Sequence, residues 1–433
     1  MTITFIGHGY VGLVTACVFA DFGNDVWVIG HTKEKIERLK KGEPIIYEPG
    51  LKELLEKNLK TKRIHFTLDY KQSISDSAIV FIAVGTPPKE NGEADLSIVF
   101  EVSRKIAKEL KPGLTVVCCK STVPVGTNKK IEAILLKHKP KNSQVAVASC
   151  PEFLREGSAI YDTVNADRVV IGSDSQKAID LLLELHESIN GKRVITNLTS
   201  AELIKYTSNA MLATKISFAN LIALYCEKTG ADVEMVLDAV GLDKRIGRIF
   251  MDPGVGYGGS CLPKDVKALI KIGEQLDVNK SFLTDVENIN LQAKQNFVKK
   301  ILDNSKTEKD IAVWGLAFKS NTDDIREASS IFILDELLHR NFKITVYDPA
   351  AQNNIKRVFG SKLNYSDGPY EAVKNKSALA ILTEWNEFKQ ADLKKIKSLM
   401  KKPVIFDGRN IYHPQTLKKL GFTYFSVGRK TIV

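Results

Sequence analysis

Apolar residues along this chain gather into two kinds of run. Short blocks, apolar at successive rather than alternate positions, end in glycine, proline or polar residues, as strands buried on both faces of a parallel sheet do. The first half carries "ITFIG", "DVWVIG", "AIVFIAVGTPP", "TVVCCKSTVPVGT", "QVAVASCPEFL" and "RVVIG". Longer blocks with helical spacing, such as "LSIVFEVSRKIAKEL", stand between them. Strands alternating with helices predict a doubly wound α/β domain over residues 1–196.

From Ser200 the pattern changes. "SAELIKYTSNAMLATKISFANLIALYCEKTG" has a Ser/Thr start, no internal Gly or Pro, and Gly230 as a stop, which predicts one helix of about 45 Å. Its apolar residues cover most of the circumference, so burial between domains or between subunits is expected. This segment opens a central helical domain at 197–304. Beyond it, "DIAVWGLAFKS", "EASSIFILDELLHR", "KITVYDP", "ALAILTEW" and "PVIFDGRN" repeat the strand and helix order of the first half without its glycine signature. A second α/β domain at 305–433 follows.

Composition narrows the class. With 433 residues, 44% of them apolar and 26% charged, the chain is long enough for two or three folded domains and has the balance of a soluble protein. No apolar run is long enough to span a membrane, and no leader-like stretch precedes the first strand, so a cytoplasmic location is expected. The six cysteines are scattered, without a CxxC pair or zinc-like histidine spacing, so we expect reduced thiols and no metal site. A net charge of +11 comes from lysines mixed with acids. Without an arginine-aromatic cluster or a nucleic-acid motif, it points away from nucleic acid and suits phosphorylated small molecules.

Gly7-His8-Gly9-Tyr10-Val11-Gly12 matches GxGxxG between the first strand and its helix. In that place Gly7 permits the tight turn, Gly9 the approach of a pyrophosphate and Gly12 close helix packing, while the helix N-terminus favours the phosphates. The carboxylate that usually ends the second strand and binds the ribose hydroxyls is missing. Gly30, His31 and Thr32 stand there, followed by Lys33 and Lys35. A dinucleotide is the expected cofactor, with NADP an open reading because a small residue, a hydroxyl and nearby cations suit a 2′-phosphate, and binding of the ribose through backbone groups at Gly30 the alternative.

"GVGYGGSCLPKD", residues 254–265, is the second chemical feature. Gly254, Gly256, Gly258 and Gly259 let the backbone fold closely around a ligand, and Ser260 is a candidate N-cap for a helix beginning near Cys261. A helix N-terminus and Lys264 would stabilise a Cys261 thiolate, and Asp265 would hold water or a polar partner. A dinucleotide turn together with an activated thiol implies oxidation through a covalent adduct. An alcohol loses hydride to give an aldehyde, the thiolate forms a thiohemiacetal, and a second hydride loss leaves a thioester for water to cleave.

At these residues the sequence resembles the UDP-glucose 6-dehydrogenases within the wider nucleotide-sugar 6-dehydrogenase family. The likeness spans nearly the whole chain, through "GHGYVGL", "YEPGL", "GTPP", "KSTVPVGT", "CPEFLREGSA", "ELIKYTSNA", "RIG", "GVGYGGSCLPKD" and "FKSNTDDIREA". It implies two Rossmann-like doubly wound domains joined by a long central helix, a homodimer formed through that helix, and a four-electron oxidation of a sugar nucleotide such as UDP-glucose with two NAD per turnover.

Carried over by motif, the resemblance makes Cys261 the nucleophile, with Lys205 and Asn209 stabilising the oxygen that gains charge. It makes Glu152 the acid/base, and Thr122 and Asp265 holders of water. To the cofactor it assigns Gly7, Gly9, Tyr10, Val11, Gly12 and Lys35, then Thr86, Thr122, Glu156, Lys264 and Arg326. To the sugar nucleotide it assigns Glu152, Phe153, Leu154, Arg155 and Glu156, Lys205 and Asn209, the loop of Phe250, Met251, Asp252, Pro253 and Gly254, then Gly258 and Lys319. Arg245 is implied to reach a neighbouring subunit's substrate. Sister enzymes acting on GDP-mannose or a UDP-N-acetylhexosamine share this cysteine chemistry. A two-electron β-hydroxyacid dehydrogenase, which needs no cysteine, is the rival from another class.

Overall fold

The structure, a computed structural model, describes residues 1–432. The chain forms two compact units, Met1–Ser208 with Lys267–Ile272, and Asn209–Val266 with the chain from Gly273 onward. Each is built around its own sheet.

The first unit holds β1 (Thr2–Ile6), β2 (Asp25–Ile29), β3 (Ile64–Thr67), β4 (Ile79–Ile82), β5 (Gly113–Cys119), β6 (Ser143–Ser149), β7 (Asn165–Ser173) and β8 (Asn190–Thr196). They line up as β3-β2-β1-β4-β5-β6-β7-β8. Neighbours run parallel except β6 with β7. The order reverses at β1, which places the switch point of a doubly wound sheet at the ends of β1 and β4.

Successive apolar residues in these strands serve opposite faces. Ile3, Phe5, Val26, Val28 and Phe81 enter one core, with Leu13, Cys17 and Phe19 of α1 (Tyr10–Asp21). Ile6, Ile29, Val80 and Ile82 enter another, with Val99, Val102 and Ile106 of helix Ser97–Lys108. Both faces are therefore dry, which is why the strands read as unbroken apolar runs.

The second unit holds β9 (Asp310–Trp314), β10 (Lys343–Tyr347), β11 (Asn364–Tyr365), β12 (Ala378–Ile381), β13 (Val404–Asp407) and β14 (Thr423–Phe425). All pairs are parallel, in the order β11-β10-β9-β12-β13-β14. Ile311 and Val313 pack to one side of β9, Ala312 and Trp314 to the other.

The long helix runs Leu198–Thr229 and stops at Gly230, whose φ of +83° suits a glycine after a helix. Ala201, Tyr206, Ala210, Ala213, Ala219 and Ala223 are buried, while Met211, Phe218 and Tyr225 are exposed. Among the described residues, no helix is long and apolar enough to cross a membrane.

Candidate active site

The glycine turn leaves β1 at Gly7, whose φ is +119° and whose amide donates to Ile29 O at 3.0 Å. A Cβ on Gly7 would fall 2.2 Å from Ala83 O, at the end of β4. At Gly9 a Cβ would meet nothing within 4 Å, so open space lies over the turn. Gly9 is also the N-cap of α1 and, being glycine, makes no side-chain capping bond. These residues fit the pyrophosphate of a dinucleotide, because a glycine with open space over it stands at the N-terminus of α1, where an anion is favoured.

Around the turn, Tyr10 donates its hydroxyl to Tyr47 O at 2.7 Å. Val11 is the second residue of α1. Thr86 Oγ1 donates to Thr122 O at 2.9 Å, tying the "GTPP" turn to the "KSTVPVGT" loop. Lys35 is exposed on α2 (Lys33–Lys40).

The loop after β6 is held by charge. Glu152 pairs with Lys120 at 3.0 Å and accepts from the Phe153 amide at 3.0 Å. The Lys120 side chain is 3% exposed, so its cation needs the anion close by. Lys120 also reaches Cys150 O and Sγ, and His186 Nε2 lies 3.8 Å from that sulfur. Bonding to Cys118, Lys120 and His186 pulls the Cys150 thiol down, whereas burial pushes Cys118 up. The Phe153 ring carries Arg168 at 3.9 Å and Lys205 Nζ at 5.0 Å, two cations on one aromatic side chain.

Leu154 packs against the core, Glu156 is buried, and Arg155 closes the loop on Asp162 through bonds of 2.9 and 2.7 Å. Glu48, of "YEPGL", accepts from Gly157 N at 2.6 Å and Ala159 N at 2.7 Å. That carboxylate sits at the N-terminus of helix Ala159–Val164, where an anion is favoured.

The second unit holds the start of the cysteine helix Leu262–Gln275, so Cys261 stands just outside the helix and its carbonyl accepts from Asp265 N at 2.9 Å. Cys261 itself, not Ser260, occupies the cap position. It is the exposed cysteine among the described residues; the other five are buried. Its Sγ lies 3.6 Å from Ser260 Oγ. Lys264 turns to Asp265, and Asn209 Nδ2 donates to Asp265 Oδ2 at 2.6 Å. Asp265 therefore sits buried between a cation and an amide.

Two of the loop glycines lie close against the rest of the protein. A Cβ on Gly258 would meet Glu327 O at 2.3 Å, and Gly256, at φ +82°, faces Asn290 Oδ1 at 2.5 Å. They let the loop lie against the protein's own backbone, and the Gly259 amide donates to Arg326 O at 2.9 Å. The side chain of Arg326 pairs with Asp324. Gly254 N donates to Asn220 Oδ1 at 2.8 Å, fixing the end of the Phe250–Gly254 segment, in which Phe250 holds a φ of +65° and Met251 is buried. Asp252 pairs with Arg248, and Pro253 is buried. Arg245 is exposed and paired with Asp243, and Lys319 Nζ lies 6.0 Å from the Phe318 ring centre.

The first unit thus gathers Thr86 with Thr122, and Glu152 with Phe153 and Lys205. The second gathers Cys261, Lys264, Asp265 and Asn209. Sequence reasoning missed Lys120, Arg168 and Glu48. Lys120 had a signal: a lysine closing the buried run "TVVCC" needs an anion partner.

Comparison with known proteins places these features in one lineage. Three family models match in succession: the UDP-glucose/GDP-mannose dehydrogenase family's NAD binding domain over residues 1–190, its central domain over 199–292, and its UDP binding domain over 312–414. UDP-glucose 6-dehydrogenase YwqF of Bacillus subtilis is 45% identical over 435 residues, covering 100% of this chain and 99% of that protein. A solved UDP-glucose dehydrogenase from Pyrobaculum islandicum superposes with a TM-score of 0.92 at 34% identity, covering 99% of this chain and 98% of that one. A UDP-D-ManNAc dehydrogenase from Pyrococcus horikoshii gives 0.86 at 27% identity, with 99% of each chain covered. The glycine turn, the cysteine loop and these full-length likenesses together make the chain a member of the UDP-glucose/GDP-mannose dehydrogenase family, an oxidoreductase that works with a nicotinamide dinucleotide on a sugar nucleotide.

Proposed function

We propose that this protein oxidises UDP-glucose to UDP-glucuronate in two steps, through Cys261. The observation that carries the reading is the exposed thiol of Cys261 at the start of a helix, backed by a buried Asp265 that holds Asn209. UDP-glucose is preferred over a UDP-N-acetylhexosamine because relatives named for UDP-glucose reach 45% identity, against 27% for the UDP-D-ManNAc dehydrogenase.

Gly7, Gly9, Gly12 and the start of α1 would hold the nicotinamide dinucleotide, which would supply the hydride acceptor for each of the two oxidations. Carbon 6 of the sugar first gives up a hydride while its hydroxyl proton leaves to base, producing an aldehyde. Cys261 Sγ then bonds to that carbon, and the carbonyl oxygen becomes the thiohemiacetal hydroxyl. Loss of the second hydride and of that hydroxyl's proton leaves a thioester. Water adds, the carbon–sulfur bond breaks, and the carboxylate departs with the thiolate restored.

Lys205 lowers the energy of each oxyanion, with Asn209 assisting. Glu152, kept beside Lys120, takes and returns the protons of thioester formation and hydrolysis. Thr122 and Asp265 orient the water. Phe153, Leu154, Arg155, Glu156, the Phe250–Gly254 segment, Gly258 and Lys319 form the nucleotide-sugar contacts. Lys35, Thr86, Lys264 and Arg326 serve the cofactor. Met211, Phe218 and Tyr225, exposed at seven-residue spacing on the long helix, support a homodimer in which Arg245 reaches the partner's substrate. Six free thiols suit the cytoplasm.

The test is product mass and reduced cofactor per sugar consumed. Two equivalents and a carboxylate are expected; one equivalent with an aldehyde would sink the covalent route. Cys261→Ala should lower acid formation by about a thousandfold or more. Turnover of a UDP-N-acetylhexosamine but not of UDP-glucose would move the protein to a sister activity.

A further inference from the structure

The end of β2, where a ribose-binding acid is missing, is occupied by other side chains. A Cβ on Gly30 would lie 2.5 Å from Ile36 Cδ1 and 3.1 Å from His8 Nδ1, so no carboxylate fits there unless both side chains move. His8 is 4% exposed, and its Nδ1 has no hydrogen-bond partner while it faces Gly30. The His31 ring lies against His8, with centroids 4.8 Å apart. Thr32 is the N-cap of α2, but its side chain makes no capping bond, so the hydroxyl is not taken by the helix amides. Lys33 and Lys35 follow on the exposed side of α2, with Glu34 the acid of that turn. Burial and then the charges of His31 and Lys35 hold His8 at about 4, below the ordinary 6.5, as expected for an imidazole in cationic surroundings.

We propose that this cluster at the end of β2 takes the 2′-phosphate of NADP, held by Thr32, His31 and Lys35, with His8 as the positioning residue that supports the His31 ring. The inference rests on the reading of the glycine turn as a nicotinamide-dinucleotide site. A carboxylate at this strand end accepts two ribose hydroxyls and repels a phosphate; a hydroxyl, an imidazole and an ammonium reverse both preferences.

Calorimetric titration of the full-length protein with adenosine 2′,5′-bisphosphate and with 5′-AMP isolates the phosphate. The bisphosphate should bind about tenfold tighter or better, and Lys35→Ala and Thr32→Ala should each narrow the gap. With substrate present, His8→Ala should lower the NADP to NAD ratio of kcat/KM through the KM for NADP rather than through kcat. Equal affinity for the two nucleotides, or tighter binding of 5′-AMP, overturns the phosphate cluster and leaves the dinucleotide site standing. If neither nucleotide binds, the reading of the glycine turn fails and this inference falls with it.

Discussion

At the ends of β1 and β9 the chain makes the same move. Gly7 donates to Ile29 O at 3.0 Å and Gly315 to Tyr347 O at 2.9 Å, with φ of +119° and +89°. Each presses on the end of the fourth strand of its sheet, Gly7 on Ala83 O and Gly315 on Thr383. The turns then part. After Gly7 comes a helix whose cap is a bare glycine under open space. After Gly315, the amides of Leu316 and Ala317 donate to Asp348 Oδ2 at 2.6 and 3.2 Å, and Trp385 Nε1 reaches the same oxygen. Asp348 follows β10, the counterpart of β2, and also accepts from Ala350 N and Ala351 N. Where the first sheet has Gly30, the second has a carboxylate that consumes its own turn. Two sheets of one strand order thus differ in whether the strand beside the turn ends in an acid that binds the turn's own amides.

The largest effect should separate the two glycines. Gly7→Ala and Gly315→Ala should each cost about 3 kcal/mol, since a methyl group cannot share space with a strand end. Only Gly7→Ala should also abolish dinucleotide binding by the molecules that remain folded. Urea titration and calorimetry on both variants would show it, and loss of binding in folded Gly315→Ala would erase the distinction.

Asp348→Asn tests the other side. It weakens a buried anchor for four backbone amides, and about 2 kcal/mol should be lost in urea titration. An unchanged midpoint would mean that the second turn does not depend on its acid.

A smaller effect concerns His8. The folded protein holds it at about 4, and an unfolded imidazole titrates near 6.5, so as pH falls the unfolded chain takes up the proton first. Stability should therefore decline from about pH 6.5 to pH 4. With solvent screening the His8 share is about 1 kcal/mol. His8→Gln should flatten that part of the profile; an identical slope would mean that the residue is not held in its neutral form.

Much of the fold was legible, because buried parallel strands have an unmistakable apolar density and the long helix carries its own stop at Gly230. The outer strands β3, β8, β11 and β14 were not read. β8 is largely exposed along its length, and β11 spans two residues, too short for any pattern. The chemistry of the cysteine loop was legible as residue types, but Lys264 turned to Asp265, and the glycines faced Asn290 and Glu327. Pairings such as Lys120 with Glu152, and Glu48 with Gly157, join residues far apart in the chain, where local spacing says nothing.

By itself the sequence determined what each segment can form: strands dry on both faces, a turn only glycine can make, a lone cysteine before a helix. Tertiary structure decided which donors are taken up internally and which thiol is exposed. Asp348 reaches the second turn, no carboxylate stands at Gly30, five sulfurs are buried and Cys261 is exposed. The reason is physical: a hydrogen bond or a burial depends on neighbours in space, and those are fixed only when distant segments pack.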